Sequence, residues 1–253
     1  RADVKLCDVD KQFYLDYIDW LRSSCKTAWG KPVSPKTAHS YYTTLRTALN
    51  EAVRENLITS NPWYRLEMTE KIKVPESRRD FLTIEEIRKM MATPFFNEQV
   101  RQAYLFSCFC GLRISDIRKL RWRDLSMSGG QWRVSVVMTK TTNPVYIPLS
   151  SQAVKWLPER GDCTPDGLVF GGLPNAGNLC ANLKSWAEKA GVKKNVTFHT
   201  ARHSCAVLLL TLGADIYTVS KILGHRSVRS TQIYAKIVDK KKDDAIALVD
   251  NAF

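Results

Sequence analysis

Residues 197–237 read TFHTARHSCAVLLLTLGADIYTVSKILGHRSVRSTQIYAKI, and this stretch gives the clearest indication of the fold of the second half of the chain. Its apolar residues recur at helical spacing and predict helices over residues 199–212, 215–223 and 227–235. Gly224 separates the last two helices and allows the backbone to reverse direction there. The stretch is therefore predicted to be a compact run of helices joined by short turns.

The first turns of the helix at 199–212 carry basic side chains on one face. His199, Arg202 and His203 are spaced i, i+3 and i+4. A cation near a helix N-terminus faces the positive end of the helix dipole, so this arrangement is favourable when an anion such as phosphate binds there too. An arginine paired with a carboxylate of the protein is the structural alternative, and both interpretations are open from this stretch alone.

The pair His199-x-x-x-His203 also has the spacing of a zinc-binding helix. Thr200 stands where a metalloprotease carries its glutamate, and Cys205 would not share the face of the two histidines. We therefore expect no metal site, and no cofactor, in this protein.

Upstream of this stretch the period of the apolar residues changes from helix to strand. QWRVSVVMTK at 131–140 alternates apolar and polar residues, and PVYIPL at 144–149 returns after a short turn. The pattern predicts a β-hairpin with Lys140 at the end of its turn. Helical signals precede the hairpin, where Thr83 and Glu86 form a capping box. The predicted fold class is mainly α with a small antiparallel β-sheet.

The first part of the chain has its own amphipathic helices. Residues 8–24 predict one, and a second begins at Pro35, with the preceding serine as its N-cap. EMTEKIKVPESRRD at 67–80 is polar, weakly periodic and contains a proline, as is typical of a linker. We therefore expect a helical domain over residues 1–66, a linker over 67–80 and a second domain over 81–253.

The composition limits the possible partners. Among 253 residues, 38 Lys and Arg stand against 25 Asp and Glu, a formal net charge of +13. This surplus indicates either a polyanionic partner, most commonly nucleic acid, or a solubilising surface charge. Hydrophobic residues make up 44% of the chain. This content is that of a folded protein, so we exclude a disordered tail. Because no run of about 18 apolar residues is uninterrupted, we also expect no membrane partner.

Seven cysteines are scattered along the chain without a CxxC pair. A chain of 253 residues can bury a hydrophobic core large enough to be stable without disulfides. We therefore expect a reducing, cytoplasmic compartment, and a location at the nucleoid of a bacterial cell. Cys108 and Cys110 lie in the apolar run AYLFSCFCGL and are predicted to be core residues rather than metal ligands. Because the chain starts at Arg1 without a methionine, we expect a fragment of a longer protein.

One basic segment lies in the first domain. No acidic residue occurs between Asp19 and Glu51, whereas basic, aromatic and hydroxyl side chains are frequent there. Such a mixture suits contacts with the phosphate backbone of DNA. The predicted DNA-binding residues are Lys26, Lys31, Lys36, His39, Tyr42 and Arg46.

Several short motifs follow one another in the second domain. GLRISDI at 111–117 precedes HTARHS at 199–204, LGH at 223–225 and Tyr234, which lies nine residues after the histidine of LGH. Together with the hairpin lysine, they resemble the tyrosine recombinase (phage integrase) family, and most of all the integrases of mobile elements such as phages and conjugative transposons. Ala201 departs from the pattern at a packing position where many members have leucine.

The resemblance implies a helical core-binding domain followed by a catalytic domain. The implied active-site residues are Arg113, Lys140, His199, Arg202, His225 and Tyr234, with Asp116 as an acid that supports Arg113. The implied activity is site-specific recombination, in which DNA strands are cut and rejoined through a covalent 3′-phosphotyrosine without metal or cofactor. The implied partners are double-stranded DNA with a specific core site and three further copies of the chain in a homo-tetramer.

Each implied residue has a role that its chemistry suits. Tyr234 is the nucleophile, and Lys140 is the general acid for the 5′-hydroxyl leaving group. Arg113 and Arg202 offer forked donors to the charge that the attack adds to the phosphate. His199 is the candidate base or proton relay. A hydrogen bond to the scissile phosphate and a structural hydrogen bond are the roles expected for His225 and His203.

The last segment, near 239–251, is amphipathic, and Ile246, Val249 and Phe253 form its apolar stripe. In the resembled family such a helix packs on the neighbouring protomer of a tetramer. Folding back on its own domain is equally consistent with the sequence.

Two other classes of DNA-binding protein share part of this pattern. A regulator derived from a recombinase would carry the same charge but has no use for the full set of six residues. A type IB topoisomerase would share the fold and the nucleophile, whereas the separate basic helical domain favours site-specific recombination. A metal-dependent nuclease is the weakest alternative.

Overall fold

A computed structural model describes residues 4–74, 79–140, 142 and 144–235. The chain forms two compact units, Arg1–Arg78 and Arg79–Phe253. Each unit has a hydrophobic core of its own. The segment near 239–251, for which the sequence predicts an amphipathic helix, lies outside the described residues.

Unit 1 is helical. Its elements are a 3₁₀ turn at Leu6–Asp8, helix α1 at Lys11–Ser23, helix α2 at Pro35–Arg54 and a 3₁₀ turn at Pro62–Arg65. Asp10 caps α1 by accepting a hydrogen bond from the amide of Phe13, and Ser34 caps α2 in the same way from Thr37. Both helices predicted from the sequence are therefore confirmed.

The core of unit 1 lies between the two helices. Its fully buried side chains include Tyr14, Ile18, Leu21, Ala38, Tyr42 and Leu49. The chain beyond residue 66 continues to pack on this core, because Ile72 contacts it and Glu70 forms a 3.0 Å ion pair with Lys11 on α1. Part of the segment expected to be a linker therefore belongs to unit 1.

Unit 2 is also mainly helical, with a small sheet. Its first elements are α3 (Ile84–Ala92), α4 (Glu98–Cys110), α5 (Ile114–Ile117), a 3₁₀ turn (Trp122–Asp124), β1 (Leu125–Ser128), β2 (Gln131–Val137) and β3 (Pro144–Pro148). They are followed by α6 (Ser151–Val154), α7 (Ala176–Lys189), α8 (Phe198–Thr211), α9 (Ile216–Ile222) and α10 (Arg229–Ala235). The predicted fold class, mainly α with a small antiparallel sheet, is confirmed.

Helix α4 lies at the centre of unit 2, where it packs against α8. Cys108 and Cys110 on α4 are fully buried, which confirms the prediction that both are core residues. Neither is in a disulfide. Burial raises the pKa of both thiols well above the usual range of a cysteine.

The sheet has the order β1-β2-β3, and both pairs of strands are antiparallel. The predicted hairpin is β2–β3, with Val134 and Ile147 paired and buried on the inner face. The additional strand, β1, is joined to β2 by Gly129 and Gly130 at positive φ values of 58° and 77°. Paired glycines of this kind form tight two-residue hairpin turns.

Within the described residues, no helix is long and apolar enough to cross a membrane.

Candidate active site

Helix α8 carries the central arginine of the site. A reciprocal cap between Thr197 and Thr200 fixes the start of the helix, so that Arg202 lies in its second turn. Arg202 is only 3% exposed, and its guanidinium donates to the carbonyl of Gly111 at 2.7 Å and to that of Leu223 at 2.5 Å. These carbonyls end α4 and α9, so Arg202 joins three helices. Among the described residues, its two hydrogen bonds go to carbonyls rather than to a carboxylate.

Two glycines allow the chain to come this close to α8. Gly111 has φ of 74°, and a Cβ on it would lie 2.7 Å from Cδ2 of Leu223. Gly224 has φ of 61°, and a Cβ on it would lie 2.9 Å from Cγ2 of Val145 on β3. Side chains at either position would push α9 or the sheet away from the site.

Arg113 lies two residues after Gly111 and is half-buried at the start of α5. Its Nη1 lies 3.8 Å from Sδ of Met138, the residue that follows β2. Arg113 acts on Arg202 electrostatically, and burial together with this second cation lowers the pKa of Arg202 to about 10. Arg202 therefore keeps its charge at neutral pH, in the same site as Arg113.

Asp116 differs from the expectation that it supports Arg113. Its Oδ1 accepts a hydrogen bond from the amide of Thr139 at 2.9 Å, whereas the described contact of Asp116 with Arg113 is made by the backbone, where the Asp116 amide donates to the Arg113 carbonyl at 2.9 Å. Asp116 is 4% exposed, and its Oδ2 has no hydrogen-bond partner. The carboxylate therefore fixes the end of β2, next to Lys140. Sequence motifs place Asp116 near Arg113 along the chain, whereas the tertiary fold decides which amide it binds.

Lys140 is exposed at the turn between β2 and β3. Its charge acts on His199 across the site. The pKa of His199 is lowered by partial burial first, and then by the cations Arg202, Lys140, Arg113 and Arg79. The hairpin thus brings Lys140 to the exposed N-terminal turn of α8.

Tyr234 on α10 is buried, with 1% of its surface exposed. Its Oη lies 2.5 Å from Nδ1 of His203 on α8, and the two rings are 5.4 Å apart. His199, one turn before His203, has no hydrogen bond to Tyr234 among the described contacts, and its ring lies 6.4 Å from that of His203. The structural hydrogen bond expected for His203 is therefore made to the implied nucleophile itself.

His225 lies in the turn after α9, where its Nδ1 is 2.8 Å from Oγ1 of the buried Thr231. Burial, followed by the cations Arg202, Arg113 and Arg79, lowers the pKa of His225 to about 4. Burial and the neighbouring charges, with Arg79 the largest of them, lower the pKa of His203 to about 4 as well. Both rings are therefore uncharged at neutral pH.

Arg79 is a member of the site that the sequence motifs miss. It stands at the start of unit 2, outside every motif, yet its charge acts on His199, His203 and His225. Burial raises the pKa of Tyr234, and Arg79 is the first of the cations that oppose this shift. The site thus combines an excess of positive charge with uncharged histidines, which is an environment for an anion.

Among the described residues, no group of three histidines, cysteines or carboxylates is arranged to hold a metal ion. The charges of the site come from arginine and lysine side chains.

The basic segment of unit 1 is only partly a surface. Lys26, Lys31 and Lys36 are exposed, and Trp29 between them is 89% exposed. Tyr42 is 3% exposed in the core between α1 and α2, so its predicted contact with DNA is wrong. The helical period turns Tyr42 inward, towards the face that packs on α1. His39 and Arg46, the last two predicted residues, are half-buried. The guanidinium of Arg46 lies 4.5 Å from the ring of Trp63.

The chain is similar to known proteins over nearly its whole length. Residues 80–241 match the pattern of the phage integrase family, and residues 1–73 match the phage integrase SAM-like domain. A tyrosine recombinase of Pseudothermotoga lettingae is 31% identical over 252 residues, covering 96% of this chain and 84% of the relative. The tyrosine recombinase XerD of Pseudomonas putida is 26% identical, covering 92% of this chain and 80% of the relative.

Solved structures share the fold. Lambda integrase residues 75–356, as a dimer bound to a COC′ core site, superpose with a TM-score of 0.67 at 22% identity, covering 92% of this chain and 82% of that one. The XerH site-specific recombinase, in a post-cleavage complex with its palindromic difH substrate, gives a TM-score of 0.68 at 19% identity, covering 97% of this chain and 74% of that one.

Proposed function

The chain belongs to the phage integrase family, and we propose that Tyr234 is the nucleophile of this site-specific DNA recombinase. The enzyme cuts and rejoins DNA strands by transesterification through a covalent 3′-phosphotyrosine. The observation that carries the assignment is the Tyr234 hydroxyl, which lies at a hydrogen-bonding histidine and within the field of Arg79, Arg113 and Arg202. A phosphodiester would bring to this place the negative charge that the side chains lack.

Arg113 and Arg202 would bind the non-bridging oxygens of the scissile phosphate. Attack by the tyrosine increases the charge on these oxygens, and guanidiniums held in fixed positions stabilise that increase without having to reorganise. Arg202 is the more rigid of the two because two of its N–H groups already bind carbonyls. His225 would donate a hydrogen bond to the same phosphate from Nε2, since its Nδ1 faces Thr231.

Lys140 would give a proton to the 5′-oxygen as its bond to phosphorus breaks. The proposal is supported by the position of the hairpin, which brings the ammonium within electrostatic reach of His199 at the edge of the site. Asp116 would position Lys140 indirectly, through the amide of Thr139. His199 is assigned as a proton relay at this exposed edge.

The exposed lysines of unit 1 would bind the DNA backbone. Lys26, Lys31 and Lys36 are exposed, as is Trp29 between Lys26 and Lys31 in the sequence, and such a combination of cations with an aromatic ring suits a sugar-phosphate surface. A specific core site in double-stranded DNA is the proposed substrate. Exchange of both strands between two duplexes needs four cuts, and each copy supplies one Tyr234, so a homo-tetramer is the proposed assembly.

The test begins with the substrate. Duplexes bound by the Tyr234→Phe variant are recovered from a random library, and the enriched sequence is made with a nick that traps the cleaved strand. Wild-type protein is expected to form an adduct with this duplex that survives denaturing electrophoresis. Tyr234→Phe is expected to bind the duplex equally well and to form no adduct, because it lacks the attacking oxygen.

Tyr217→Phe is the matched control, since Tyr217 lies on α9 with 58% of its surface exposed. It should form the adduct as wild type does. An adduct formed by Tyr234→Phe would remove Tyr234 as the nucleophile. A complex of the wild type with the duplex that contains two copies in place of four, measured by mass photometry, would overturn the tetramer.

A further inference from the structure

The hydroxyl of Tyr234 must lose its proton when its oxygen bonds to phosphorus. Few groups are near enough to take that proton. Arg79 is already protonated, and Nδ1 of His225 is engaged with Thr231. His203 is different, because its Nδ1 lies 2.5 Å from the hydroxyl oxygen. The ring nitrogen is therefore in direct contact with the hydroxyl, as a general base must be.

We infer that His203 is a further catalytic residue, which accepts the proton of Tyr234 at Nδ1 as the tyrosine attacks the phosphate. The inference rests on the proposed role of Tyr234 as the nucleophile. It moves the function of base from His199 to the next turn of the same helix.

The position of His203 in the fold supports a direct role. Helix α8 fixes His203 next to Arg202, whose guanidinium is tied to two carbonyls, so the imidazole cannot move far from the phosphate site. Tyr234 approaches it from α10, and α8 and α10 pack directly on one another. The acceptor and the nucleophile therefore belong to one packed pair of helices.

The protonation state of His203 suits an acceptor that is switched on by substrate. The charged and titratable groups that face it are Arg79 before α3, His199 and Arg202 on α8, His225 after α9 and Tyr234 on α10. In the absence of DNA, partial burial and then the neighbouring cations keep the ring uncharged, so Nδ1 has a lone pair for the tyrosine proton. A bound phosphodiester offsets these cations and raises the affinity of the ring for a proton.

In the proposed step, each bond that forms is matched by one that breaks, and each proton that leaves one group is taken up by another. The Oη–P bond forms while the P–O5′ bond breaks, the proton of Tyr234 moves to Nδ1 of His203, and a proton of Lys140 moves to the 5′-oxygen. Religation runs in reverse: the 5′-hydroxyl returns its proton to Lys140, its oxygen attacks phosphorus, and the departing tyrosine oxygen recovers the proton from His203. No oxidant, metal or nucleotide is consumed.

Two variants separate proton transfer from simple positioning. In His203→Asn an amide replaces the ring nitrogen, so a hydrogen bond to Tyr234 persists but no proton can be accepted. In His203→Leu both functions are lost. Each variant is mixed with the nicked duplex recovered above, and the first-turnover rate of adduct formation is measured at several pH values, with binding of the duplex and thermal unfolding measured alongside.

A proton acceptor predicts that both variants bind the duplex but cleave it about 100- to 10,000-fold more slowly. Their rates should rise about tenfold per pH unit between about pH 7 and 9, because solvent then has to remove the tyrosine proton. A 5′-bridging phosphorothiolate, whose thiolate needs no proton to leave, should rescue Lys140→Ala but neither His203 variant.

Other outcomes overturn the inference. His203→Asn within threefold of wild type while His203→Leu is inactive would reduce His203 to a positioning residue. Full activity of both variants would exclude any role. If one variant does not fold, the other variant tests the inference through the pH dependence of its rate of adduct formation. A rate that does not change with pH would contradict the loss of a proton acceptor. Absence of an adduct with the wild type would instead contradict the proposed function itself.

Discussion

The two half-buried histidines, His203 and His225, give the site a pH dependence that is open to measurement. The pKa of His203 and that of His225 are both lowered to about 4 in the folded protein, chiefly by burial and then by arginine charges. In the unfolded chain each ring has an ordinary pKa of about 6.5. Between about pH 6.5 and 4 the unfolded state binds protons that the folded state does not, so stability falls as the pH decreases through this window.

We expect the thermal midpoint to drop between about pH 7 and 5 and the drop to be smaller in His225→Asn, which removes one of the two groups. Thermal unfolding followed by circular dichroism at each pH measures both. An unchanged pH dependence in His225→Asn would show that this ring does not bind protons differently in the two states.

Asp116 leads to a second prediction at the scale of a single residue. Asp116→Ala removes the acceptor of the Thr139 amide and should allow the Lys140 turn to shift. A displacement of about 1 Å can slow a reaction by about 100-fold. Adduct formation on the natural phosphodiester is therefore expected to fall towards that limit, whereas the 5′-bridging phosphorothiolate should largely restore it. An equal loss on both substrates would contradict an action through Lys140.

Local sequence motifs identify chemistry but not contacts. The residues of GLRISDI, HTARHS and LGH are found from the sequence because their type and order are specific. Which atoms they touch depends on the tertiary fold, as Asp116 and His203 show. Arg79 belongs to none of these motifs, so the sequence gives no sign of its place in the site. Tyr42 is predicted to be at the surface but is buried, because a helix with aromatic residues on two faces does not reveal which face is buried.

At the scale of the elements, capping signals predict boundaries well. The start of α2 at Pro35, the capping box of α3 at Thr83 and the left-handed end of α4 at Gly111 follow directly from residue type. Strand β1 escapes the apolar pattern because only Leu125 of its four residues is buried. The turn Gly129-Gly130 was the available signal, since two glycines before an alternating segment are typical of a hairpin.

Gly224 gives a prediction for the joint between α9 and the sheet. Gly224→Ala introduces a Cβ at φ of 61° that would lie 2.9 Å from Cγ2 of Val145 and 3.2 Å from Met138. Left-handed strain and overpacking together should lower the free energy of unfolding by about 2 to 4 kcal/mol. Chemical denaturation measures this loss.

Gly191→Ala is the matched control, because Gly191 has φ of 69° but no atom within 4 Å of its Cβ position. It should lose only the strain, about 1 to 2 kcal/mol. Equal losses in the two variants would mean that the close approach of Gly224 to the sheet contributes nothing.

At the scale of the whole molecule, the net charge of +13 has two different uses. A few cations, Arg79, Arg113 and Arg202, act on the histidines and the tyrosine of unit 2. The exposed lysines of unit 1 are proposed to hold DNA by its backbone. The total charge indicates a polyanion, but only the fold shows which cations are in the active site.

The salt dependence of binding tests this division. Replacing Lys26, Lys31 and Lys36 together by Gln should make the plot of log affinity against log salt concentration shallower by about 2 to 3, since each phosphate contact contributes about 0.9. Replacing Lys155, Lys184 and Lys189 of unit 2 by Gln removes the same charge elsewhere and should leave the slope nearly unchanged. Equal slopes for the two triple variants would place the DNA-binding surface outside the lysines of unit 1.

The hydrogen bonds of Arg202 have a consequence for how this protein can change over evolutionary time. One buried guanidinium holds the ends of α4 and α9 against α8, so the residue that we propose for the chemistry also supports the fold. The Tyr234 hydroxyl hydrogen-bonds to side chains, His203 and Arg79, rather than to the backbone of another helix, and phenylalanine can fill its volume. A gene copy released from selection for cleavage, yet still selected for DNA binding, would therefore lose the tyrosine before the arginine. In such descendants Arg202 would persist as a structural relic of a reaction that they no longer perform.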